Sequence, residues 1–329
     1  MDLFDVIVIG GGPSGATAAN ELAKTGKKVA FIDKAGRIKP CGGAVPPRLI
    51  VDFEIPEDQV VARIRTARMI SPTARKVDMP IENGYVGMVD RENFDAFLRE
   101  RACAAGATQY TGTFLKIERI EDKTLVYYRD KKTGIENVLQ TSAIIAADGA
   151  RSNVVRAELP GGKEIPYVIA YHEIIKAPKQ ESYDPDRCDV IYDGKISPDF
   201  YGWVFPHGKV ASVGMGTGVD GVDLKAATYE LRKSSGLAEC ETVRREGAPI
   251  PLKPLDKWDN GKDLVLAGDA AGVVAPSSGE GIYYAMVGGQ EAAHAVFSFL
   301  EKKDPKKLKL ARKRFMANHK TVFKVLSEK

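Results

Sequence analysis

Residues 5–34 read DVIVIGGGPSGATAANELAKTGKKVAFIDK, and they decide the fold. The run at residues 6–9 is apolar without alternation, which is typical of a central parallel strand covered on both faces. Three glycines follow in the spacing G-x-G-x-x-G. Gly10 permits a tight turn, Gly12 lets backbone approach a pyrophosphate, and Gly15 lets the next helix lie close to the strand. The stretch therefore predicts a helix N-terminus that binds the phosphates of a dinucleotide.

A second strand, predicted at residues 28–32, ends at Asp33. At that distance from the glycines a carboxylate can accept both ribose hydroxyls of an adenosine, which makes NADP a less favoured tight ligand. A glycine turn alone is a weak signal, because such turns also occur for purely structural reasons. Here the preceding strand, the following helix and the acid all agree. The predicted cofactor contacts in this unit are Gly10, Gly12, Pro13, Ser14, Gly15, Asp33 and Lys34.

Composition bounds the remaining possibilities. A chain of 329 residues with 44% apolar and 28% charged residues is typical of a soluble globular protein with two domains or one elaborated α/β domain. The net charge of +4 does not indicate a nucleic-acid partner. We expect no signal peptide, because the N-terminus enters a strand at once, and hence a cytoplasmic protein. Four scattered cysteines without a C-x-x-C pair argue against a disulfide framework and against a zinc site, so no metal is expected.

The stretch KPCGGAVPP, residues 39–47, holds too much glycine and proline to be a helix or a strand, which predicts a shaped loop. Cys41 within it is either a small buried side chain, as most free cysteines are, or part of the lining of a site. Residues 91–105 have apolar positions at helical spacing, with Asp90 as a plausible N-cap. Arg91 at the start of that helix is either a surface charge or a phosphate contact.

Two later strands end in acidic turns. Residues 143–147 lead, after an antiparallel meander, into Asp148 and Gly149, and residues 263–267 lead into Gly268 and Asp269. Each acid could be an ordinary turn residue. In this order after G-x-G-x-x-G they are similar to the second and third fingerprints of a flavin-binding fold, in which Asp269 would bond the ribityl chain. The stretch PSSGEG then opens a predicted helix at residues 282–300, whose dipole suits an anionic flavin and whose first contacts would be Gly279, Gly281 and Ile282.

Residues 165–250 are mainly strand-like, with one helix near residues 224–235. The sequence thus predicts an α/β fold, with an FAD-binding Rossmann-like three-layer domain and a second, mainly antiparallel β-sheet domain for the substrate. The FAD-binding domain is expected at residues 1–55, 90–160 and 258–329, and the substrate domain at residues 56–89 and 161–257. Gly214, Gly216 and Gly218 do not form a second dinucleotide turn, because no apolar helix follows them, so a separate NAD(P)H domain is not expected.

The order of these motifs resembles an FAD-dependent family that includes aromatic hydroxylases, flavin halogenases and geranylgeranyl reductases. KPCGGA at residues 39–44 and SPDFYGWVFP at residues 197–206 are similar to motifs of the geranylgeranyl reductases in the chlorophyll and bacteriochlorophyll branch. Residues 67–79 and 83–92 make the bacteriochlorophyll enzymes of purple bacteria the most similar group. The resemblance implies saturation of three of the four double bonds of a geranylgeranyl chain to give phytyl, on a prenylated tetrapyrrole or as geranylgeranyl diphosphate, with NADPH as the electron source.

An isolated alkene needs a proton donor as well as a hydride, in a site that excludes water. We predict Cys41 as that donor, or as the residue that shapes its loop, because thiols are mostly protonated near neutral pH. Gly42, Gly43 and Ala44 would bring the loop backbone to the flavin. Tyr201, Trp203 and Phe205 share one face of a strand and, with Pro206, would form the wall of the substrate pocket. From spacing alone the aromatic stripe could equally be an ordinary core.

Two other functions stay open at this point. The hydroxylases and halogenases share the fingerprints, although the halogenase motif W-x-W-x-I-P matches YGWVFP only in part, and prenyl-binding escort proteins share the architecture without flavin chemistry. Family chains commonly continue beyond the position of Lys329, which leaves open whether the pocket is complete. The basic stretch at residues 302–324 is either a surface helix or a weak peripheral contact with anionic membrane lipid. Its apolar positions are Leu308, Ala311, Phe315, Val322 and, just beyond, Leu326.

Overall fold

The computed structural model describes residues 2–36, 38–159, 165–179 and 183–323. The chain divides into two compact units. The first comprises Met1–Arg37, Asp95–Pro166 and Pro251–Lys329, and the second comprises Ile38–Phe94 and Tyr167–Ile250. This division groups residues 38–55 and 90–94 with the second unit, and residues 161–166 and 251–257 with the first, which differs from the boundaries expected from the sequence. The assignment of one domain to the cofactor and the other to the substrate remains a prediction.

The helices and strands follow one another with these bounds: β1 (Leu3–Ile9), α1 (Pro13–Lys24), β2 (Val29–Asp33), β3 (Ala44–Val45), α2 (Pro47–Asp52), β4 (Ala62–Ile64), β5 (Thr66–Ile70), β6 (Lys76–Pro80), β7 (Val86–Met88), α3 (Arg91–Ala104), β8 (Thr108–Ile120), β9 (Lys123–Asp130), β10 (Glu136–Ala146), α4 (Asn153–Glu158), β11 (Tyr167–Lys176), β12 (Arg187–Ile191), β13 (Gly202–His207), β14 (Val210–Thr217), α5 (Leu224–Ser234), β15 (Thr242–Pro251), β16 (Leu264–Leu266), α6 (Ile282–Lys302) and α7 (Leu310–Phe323).

The sheet of the first unit is parallel at its centre. β1 pairs in parallel with β2 and with β10, β2 pairs with β8, and β10 pairs with β16. The far half of β8, all of β9 and the first half of β10 form the predicted antiparallel meander. The sequence predicted a meander strand and a separate buried strand at residues 143–147, which was wrong. One strand, Glu136–Ala146, contains both the meander segment and the buried segment. Its first residues pair with β9 and its last residues pair with β1 and β16.

The central strands are fully buried, as the unbroken apolar runs predict, and they form one core with α1, α6 and α7. α6 carries two adjacent glycines, of which Gly289 packs on the backbone of α1 and Gly288 packs on the turn at Gly268. A Cβ placed on Gly289 would lie 2.3 Å from the backbone oxygen of Ser14, and one on Gly288 would lie 3.2 Å from the backbone nitrogen of Gly268. The glycine pair is therefore a packing requirement, since glycine inside a helix otherwise costs about 1 kcal/mol relative to alanine.

The second unit is built on a seven-stranded sheet in the order β15-β11-β14-β13-β12-β5-β6. The pairs β11–β14, β14–β13, β13–β12 and β5–β6 are antiparallel, whereas β12 and β5 run parallel, so the sheet is mainly antiparallel as predicted. α5 packs on one face through Ala227 and Leu231, against alternate residues of β13 and β14. Cross-strand register places Trp203, Gly214 and His172 in one row on the opposite face.

The C-terminal basic stretch is amphipathic, but its apolar side is used internally. Leu308, Ala311 and Phe315 are fully buried in the core of the first unit, while many of the lysines and arginines of the stretch are exposed. Two residues of the predicted stretch, Lys324 and Leu326, lie outside the described residues. Among the residues that the structure describes, no helix is both long enough and apolar enough to cross a bilayer.

Candidate functional site

The glycine turn between β1 and α1 is shaped by two close backbone contacts. A Cβ placed on Gly10, whose φ is +106°, would lie 2.2 Å from the backbone oxygen of Ala147, and one on Gly15 would lie 1.9 Å from the backbone oxygen of Gly10. Gly12 differs, because no described heavy atom lies within 4 Å of its Cβ position. Gly10 and Gly15 are thus required by the fold, and Gly12 faces open space where a pyrophosphate can lie.

The first turn of α1 offers unsatisfied donors to that space. Gly12 is the N-cap and makes no side-chain hydrogen bond, and Pro13 begins the helix. Within the described part of the chain, the buried hydroxyls of Ser14 and Thr17 have no hydrogen-bond partner. Ser14 lies beside Gly268, whose Cβ position is 2.9 Å from the Ser14 hydroxyl oxygen. An uncapped helix N-terminus with an unpartnered hydroxyl fits a phosphate group.

Asp33 organises the turn from the end of β2. Its Oδ2 accepts a hydrogen bond from the backbone N–H of Gly11 at 2.8 Å, and its Oδ1 accepts one from Ala35 at 2.8 Å. The Arg99 guanidinium lies 3.9 Å from Asp33 Oδ1 and donates to the backbone oxygen of Gly11 at 3.3 Å. Lys34, the next residue, is exposed. The Asp33 carboxylate is thus held beside the glycine turn of residues 10–15, called the phosphate cradle below, by backbone donors and one arginine.

Asp148 has a clear structural task. Its carboxylate accepts from the Ser152 hydroxyl at 2.5 Å and from the backbone N–H of Asn153 at 2.9 Å, while Ser152 caps α4 by accepting from Val155. Burial raises the pKa of Asp148 above its ordinary value, against the effect of these donors. The structure therefore gives Asp148 a structural role in the turn that leads into α4, whose N-cap is Ser152. Gly149, at φ +87°, leaves its Cβ position open, and a cofactor contact from these two residues stays a prediction.

The third fingerprint forms a turn and a helix start. Gly268–Ala271 is a short 3₁₀ turn, with Gly268 at φ +65°, and the Asp269 carboxylate comes within 3.9 Å of the Cβ position of Gly281. Gly281 is the N-cap of α6 and Ile282 is its first residue. Gly279 is also in the left-handed region, at φ +68°. These residues gather at one helix N-terminus, as the sequence predicts.

The sequence missed one group at that terminus. The Glu280 carboxylate accepts a hydrogen bond from the backbone N–H of Tyr283 at 2.7 Å, which places a negative charge on the first turn of α6. An acid just before an apolar helix is a familiar capping signal and could have been found. Glu280 offsets part of the helix dipole that the sequence assigned to the flavin alone.

The Cys41 loop and the aromatic strand meet within the second unit. A Cβ on Gly42 would lie 3.3 Å from the ring of Phe205, and one on Gly43, at φ +73°, would lie 2.5 Å from Nε2 of His207. The backbone N–H of Gly43 donates to Cys41 Sγ at 3.4 Å. Cys41 itself is half-buried. The loop is therefore packed backbone-first onto β13.

Most of the stretch at residues 39–47 is irregular, with one correction. Ala44–Val45 forms the two-residue strand β3, which pairs with β7. The backbone N–H of Val89 also donates to the backbone oxygen of Gly43 and extends this pairing by one hydrogen bond. Ala44 packs in a small cluster with Phe205 and Cys188. Arg91, the first residue of α3, is buried, so it is not the surface charge that was the alternative.

The aromatic side chains of β13 form a continuous row. The ring centroids of Tyr201 and Trp203 are 6.1 Å apart, and those of Trp203 and Phe205 are 6.1 Å apart. Phe200 adds a stacked ring at 4.2 Å from Tyr201. Pro206 is buried and lies beyond the paired residues of β12, so its missing N–H interrupts no hydrogen bond to that strand. This row lies on the face opposite α5, so it is not part of the core beneath that helix.

Behind Trp203 runs a chain of buried polar groups that the sequence did not predict. Trp203 Nε1 donates to Ser212 Oγ at 3.0 Å, Ser212 Oγ lies 2.8 Å from His172 Nδ1, and His172 Nε2 lies 3.2 Å from Glu246 Oε2. Burial by itself would raise the pKa of Glu246, but the hydrogen bond from His172 and the neighbouring Arg244 guanidinium outweigh this effect, and the pKa of Glu246 is lowered.

Sequence reasoning missed two further residues, because the place of each depends on a tertiary contact. Arg99 contacts Asp33 and the backbone oxygen of Gly11, which are distant in the sequence. His207 packs against Gly43. Its Nδ1 lies 3.1 Å from the backbone oxygen of Phe205, and burial lowers the pKa of His207 below its ordinary value. Across the described residues, no group of His, Cys, Asp and Glu is arranged to hold a metal ion.

Gly214 and Gly216 lie inside β14, which confirms that they are not a dinucleotide turn. A Cβ on Gly214 would lie 2.6 Å from the Trp203 indole, and one on Gly216 would lie 2.9 Å from the ring of Phe200. Both glycines make room for aromatic rings on the same sheet face.

A parallel sheet with this phosphate cradle, joined in one chain to an aromatic-faced antiparallel sheet, defines a flavoprotein that binds FAD on a Rossmann-like domain. Ser14 and the N–H groups of the first turn of α1 would hold the pyrophosphate, and Asp33 would hold the ribose.

Comparison with known proteins narrows this class. The family model described as lycopene cyclase protein matches residues 5–327. A geranylgeranyl diphosphate reductase of Rhodobacter capsulatus is 64% identical over 324 residues, which cover 98% of this chain and 82% of the relative. The chloroplastic geranylgeranyl diphosphate reductase of Oryza sativa is 38% identical, over 88% of this chain and 66% of the relative. The chain thus spans just under two thirds of the plant protein's length.

A solved structure from Thermoplasma acidophilum, described as geranylgeranyl bacteriochlorophyll reductase-like, superimposes with a TM-score of 0.85 and 25% identity, over 97% of this chain and 84% of that one. The chain belongs to the family that the lycopene cyclase model describes and, within it, to the geranylgeranyl reductases. It is therefore an oxidoreductase, and the resemblance carried by residues 39–44 and 197–206 is confirmed.

Proposed function

We propose that this chain hydrogenates the isolated double bonds of a geranylgeranyl chain, carried by a tetrapyrrole pigment or present as the diphosphate, to give a phytyl chain. Electrons come from NADPH. Family membership supports the reaction class, because relatives with the same motifs are named as geranylgeranyl diphosphate reductases. The observation that carries the proposal is the packing of the Cys41 loop against the aromatic row of β13.

The reaction adds one hydride and one proton to each carbon–carbon double bond. FAD, when bound, would supply the hydride, with electrons that originate from NADPH. No neighbouring carbonyl polarises an isolated trisubstituted alkene, so the proton must come from a positioned acid as charge develops on carbon. The task of the protein is to bind the chain, exclude water and place that acid.

Cys41 is the proton donor in this proposal. Its sulfur accepts the Gly43 N–H, and this hydrogen bond does not use the S–H proton. The thiol is half-buried next to an aromatic row, and a thiol is apolar enough to face a hydrocarbon. The predicted contacts of Cys41, Gly42, Gly43, Ala44 and Arg91 with the cofactor remain part of the proposal.

Tyr201, Trp203 and Phe205 provide the wall against which the prenyl chain lies. Tyr201 and Trp203 are buried and Phe205 is half-buried, so the row presents a nearly dry surface. A dry apolar wall stabilises the substrate by burying hydrocarbon, at about 25 cal/mol per Å² removed from water. It also keeps water from competing for the reacting carbons.

We also propose a peripheral contact with anionic membrane lipid through the exposed cations of residues 302–323. Because Leu308, Ala311 and Phe315 are buried in the core, this contact is electrostatic rather than an insertion of apolar side chains. A membrane-dissolved substrate would then be met at the lipid surface.

The direct test is to incubate the purified protein with NADPH and either geranylgeranyl diphosphate or a geranylgeranylated pigment, and to resolve products by mass. Stepwise gains of two hydrogens are expected. A product that depends on halide or on O2 would instead indicate a halogenase or hydroxylase, and a colourless protein without flavin would indicate a prenyl-binding protein.

A further inference from the structure

The polar chain behind Trp203 has an unusually complete hydrogen-bond pattern. An indole N–H is only a donor, so the Ser212 hydroxyl must accept it and must give its own proton to His172 Nδ1. Nε2 of His172 then carries the remaining proton and donates it to the Glu246 carboxylate. Every group in the chain is satisfied when His172 is neutral with its proton on Nε2.

The indole can occupy this position only because of the strand next to it. Trp203 is paired with Gly214, and Gly214 with His172, so the three residues form one row across β13, β14 and β11. A Cβ on Gly214 would lie 2.4 Å from Cβ of His172 and 2.6 Å from Cζ2 of Trp203. The indole thus lies across the backbone of β14, close to Ser212 and His172.

The arrangement contains a serine, a histidine and an acid in sequence, but it is not a hydrolase site. Ser212 is 0% exposed, its hydroxyl accepts from Trp203, and its single proton is donated to His172. A nucleophile must reach a substrate, and this hydroxyl cannot. The chain therefore acts on Trp203 rather than on a substrate directly.

We propose that His172, acting through Ser212, is a positioning residue that fixes the indole of Trp203 in the aromatic wall and so sets the affinity for the prenyl chain. The last step rests on the proposed function, because it takes Trp203 as a substrate contact. The first step, the orientation of the indole, stands on the hydrogen bonds alone. Glu246, paired with Arg244, anchors the far end of the chain by holding the Nε2 proton of His172.

The test uses the fact that the chain holds two tryptophans. Labelling tryptophan with ¹⁵N gives two indole N–H signals in NMR, and Trp258→Phe assigns them. Trp258 Nε1 donates to the backbone oxygen of Leu255, so its signal is an internal control. Ser212→Ala and His172→Leu should shift the Trp203 signal and speed its hydrogen exchange while the Trp258 signal stays in place. In His172→Asn, which keeps an acceptor near the Nδ1 position, the Trp203 signal should return most of the way to its position in the parent protein.

The same variants are assayed with geranylgeranyl diphosphate and NADPH. A loosened indole should raise KM about fivefold to tenfold with kcat little changed, since one aromatic contact is weakened and the reacting groups are not. Ser212→Ala removes only a hydroxyl, so it keeps the test valid if His172→Leu folds poorly. A Trp203 signal that does not move in Ser212→Ala overturns the positioning role. A moved signal with unchanged KM overturns the link to affinity, and a parent protein without reductase activity refutes the proposed function while the NMR result still decides the first step.

Discussion

Gly12 and Gly15 belong to the same fingerprint, but adding a side chain should have different effects at the two positions: loss of FAD binding at Gly12, and loss of both stability and FAD binding at Gly15. Gly12→Val places its side chain in open space, at an ordinary φ of −74°, so the fold has little to lose. Valine is a poorer N-cap than glycine, which costs about 1 kcal/mol. The same side chain fills the place proposed for the pyrophosphate, so FAD binding should be abolished.

Gly15→Ala is the opposite case. Its Cβ would lie 1.9 Å from the backbone oxygen of Gly10 and 2.9 Å from the backbone carbon of Gly10, and both are backbone atoms that cannot rotate away. The helix would have to move off the turn, at a cost of about 3 kcal/mol by analogy with overpacked cores. Gly194→Val is the matched control, because Gly194 is exposed and no described heavy atom lies within 4 Å of its Cβ position.

The assay measures bound FAD from the visible spectrum and unfolding from urea titration of the cofactor-free proteins. We expect Gly12→Val to lose FAD with near-parent stability, Gly15→Ala to lose both, and Gly194→Val to lose neither. Stoichiometric FAD in Gly12→Val would refute the placement of the phosphates. Equal destabilisation of Gly12→Val and Gly15→Ala would refute the distinction between open space and packing.

Three other predictions concern the acid, the membrane and pH. Cys41→Ala and Cys41→Ser should bind FAD and accept electrons from NADPH normally but should hydrogenate the prenyl chain about 10²-fold to 10⁴-fold more slowly. If both variants hydrogenate the chain at the parent rate, Cys41 is not the proton donor. Co-sedimentation with anionic liposomes should fall at high salt and in a Lys306→Glu, Lys313→Glu variant, and binding that ignores both changes would exclude the electrostatic contact. The Asp263 carboxylate accepts hydrogen bonds from Arg119 and two other side chains, and these lower its pKa even though burial alone would raise it. The ionised carboxylate therefore stabilises the fold at pH values above its unfolded pKa of about 3.9. This stabilisation is lost as the pH falls through the pKa of Asp263 in the folded protein. Asp263→Asn should therefore be less stable than the parent at pH 7 and should lose less stability on acidification. If urea unfolding gives the same difference in stability between variant and parent at pH 7 and at acidic pH, the stabilising role of the ionised Asp263 is contradicted.

Local patterns predicted the parts of the site that depend on neighbouring residues. The glycine spacing of residues 10–15 and the alternation of Tyr201, Trp203 and Phe205 each encode a short segment whose geometry follows from its own backbone period. The chain from Trp203 to Glu246 could not be predicted in this way. Its members lie on four different strands, β13, β14, β11 and β15, and meet only through sheet register, which no single segment specifies.

The wrong division of β10 has the same origin. The sequence divided β10 in two because its halves have different surroundings: the first residues pair with β9, and the last lie at the centre of the parallel sheet. The hydrogen bonds that Asp148 accepts from Ser152 and Asn153 were not predicted either, and its contact with the cofactor remains a prediction. Short-range hydrogen bonds of this kind compete with ligand roles for the same carboxylate.

The interleaving of the first unit has a consequence for how the protein is made. Ser14, in the phosphate cradle, packs against Gly268 and Gly289, so the cradle stays incomplete until the ribosome has passed those residues. From the end of β10 at Ala146 to the end of β16 at Leu266, synthesis at 5–20 residues per second takes roughly 6 to 24 seconds. During that time residues 144–146 of β10 lack the strand β16 with which they pair. FAD can therefore be loaded only after residue 289 has been synthesised, and a nascent chain released before that residue has no complete place to hold it.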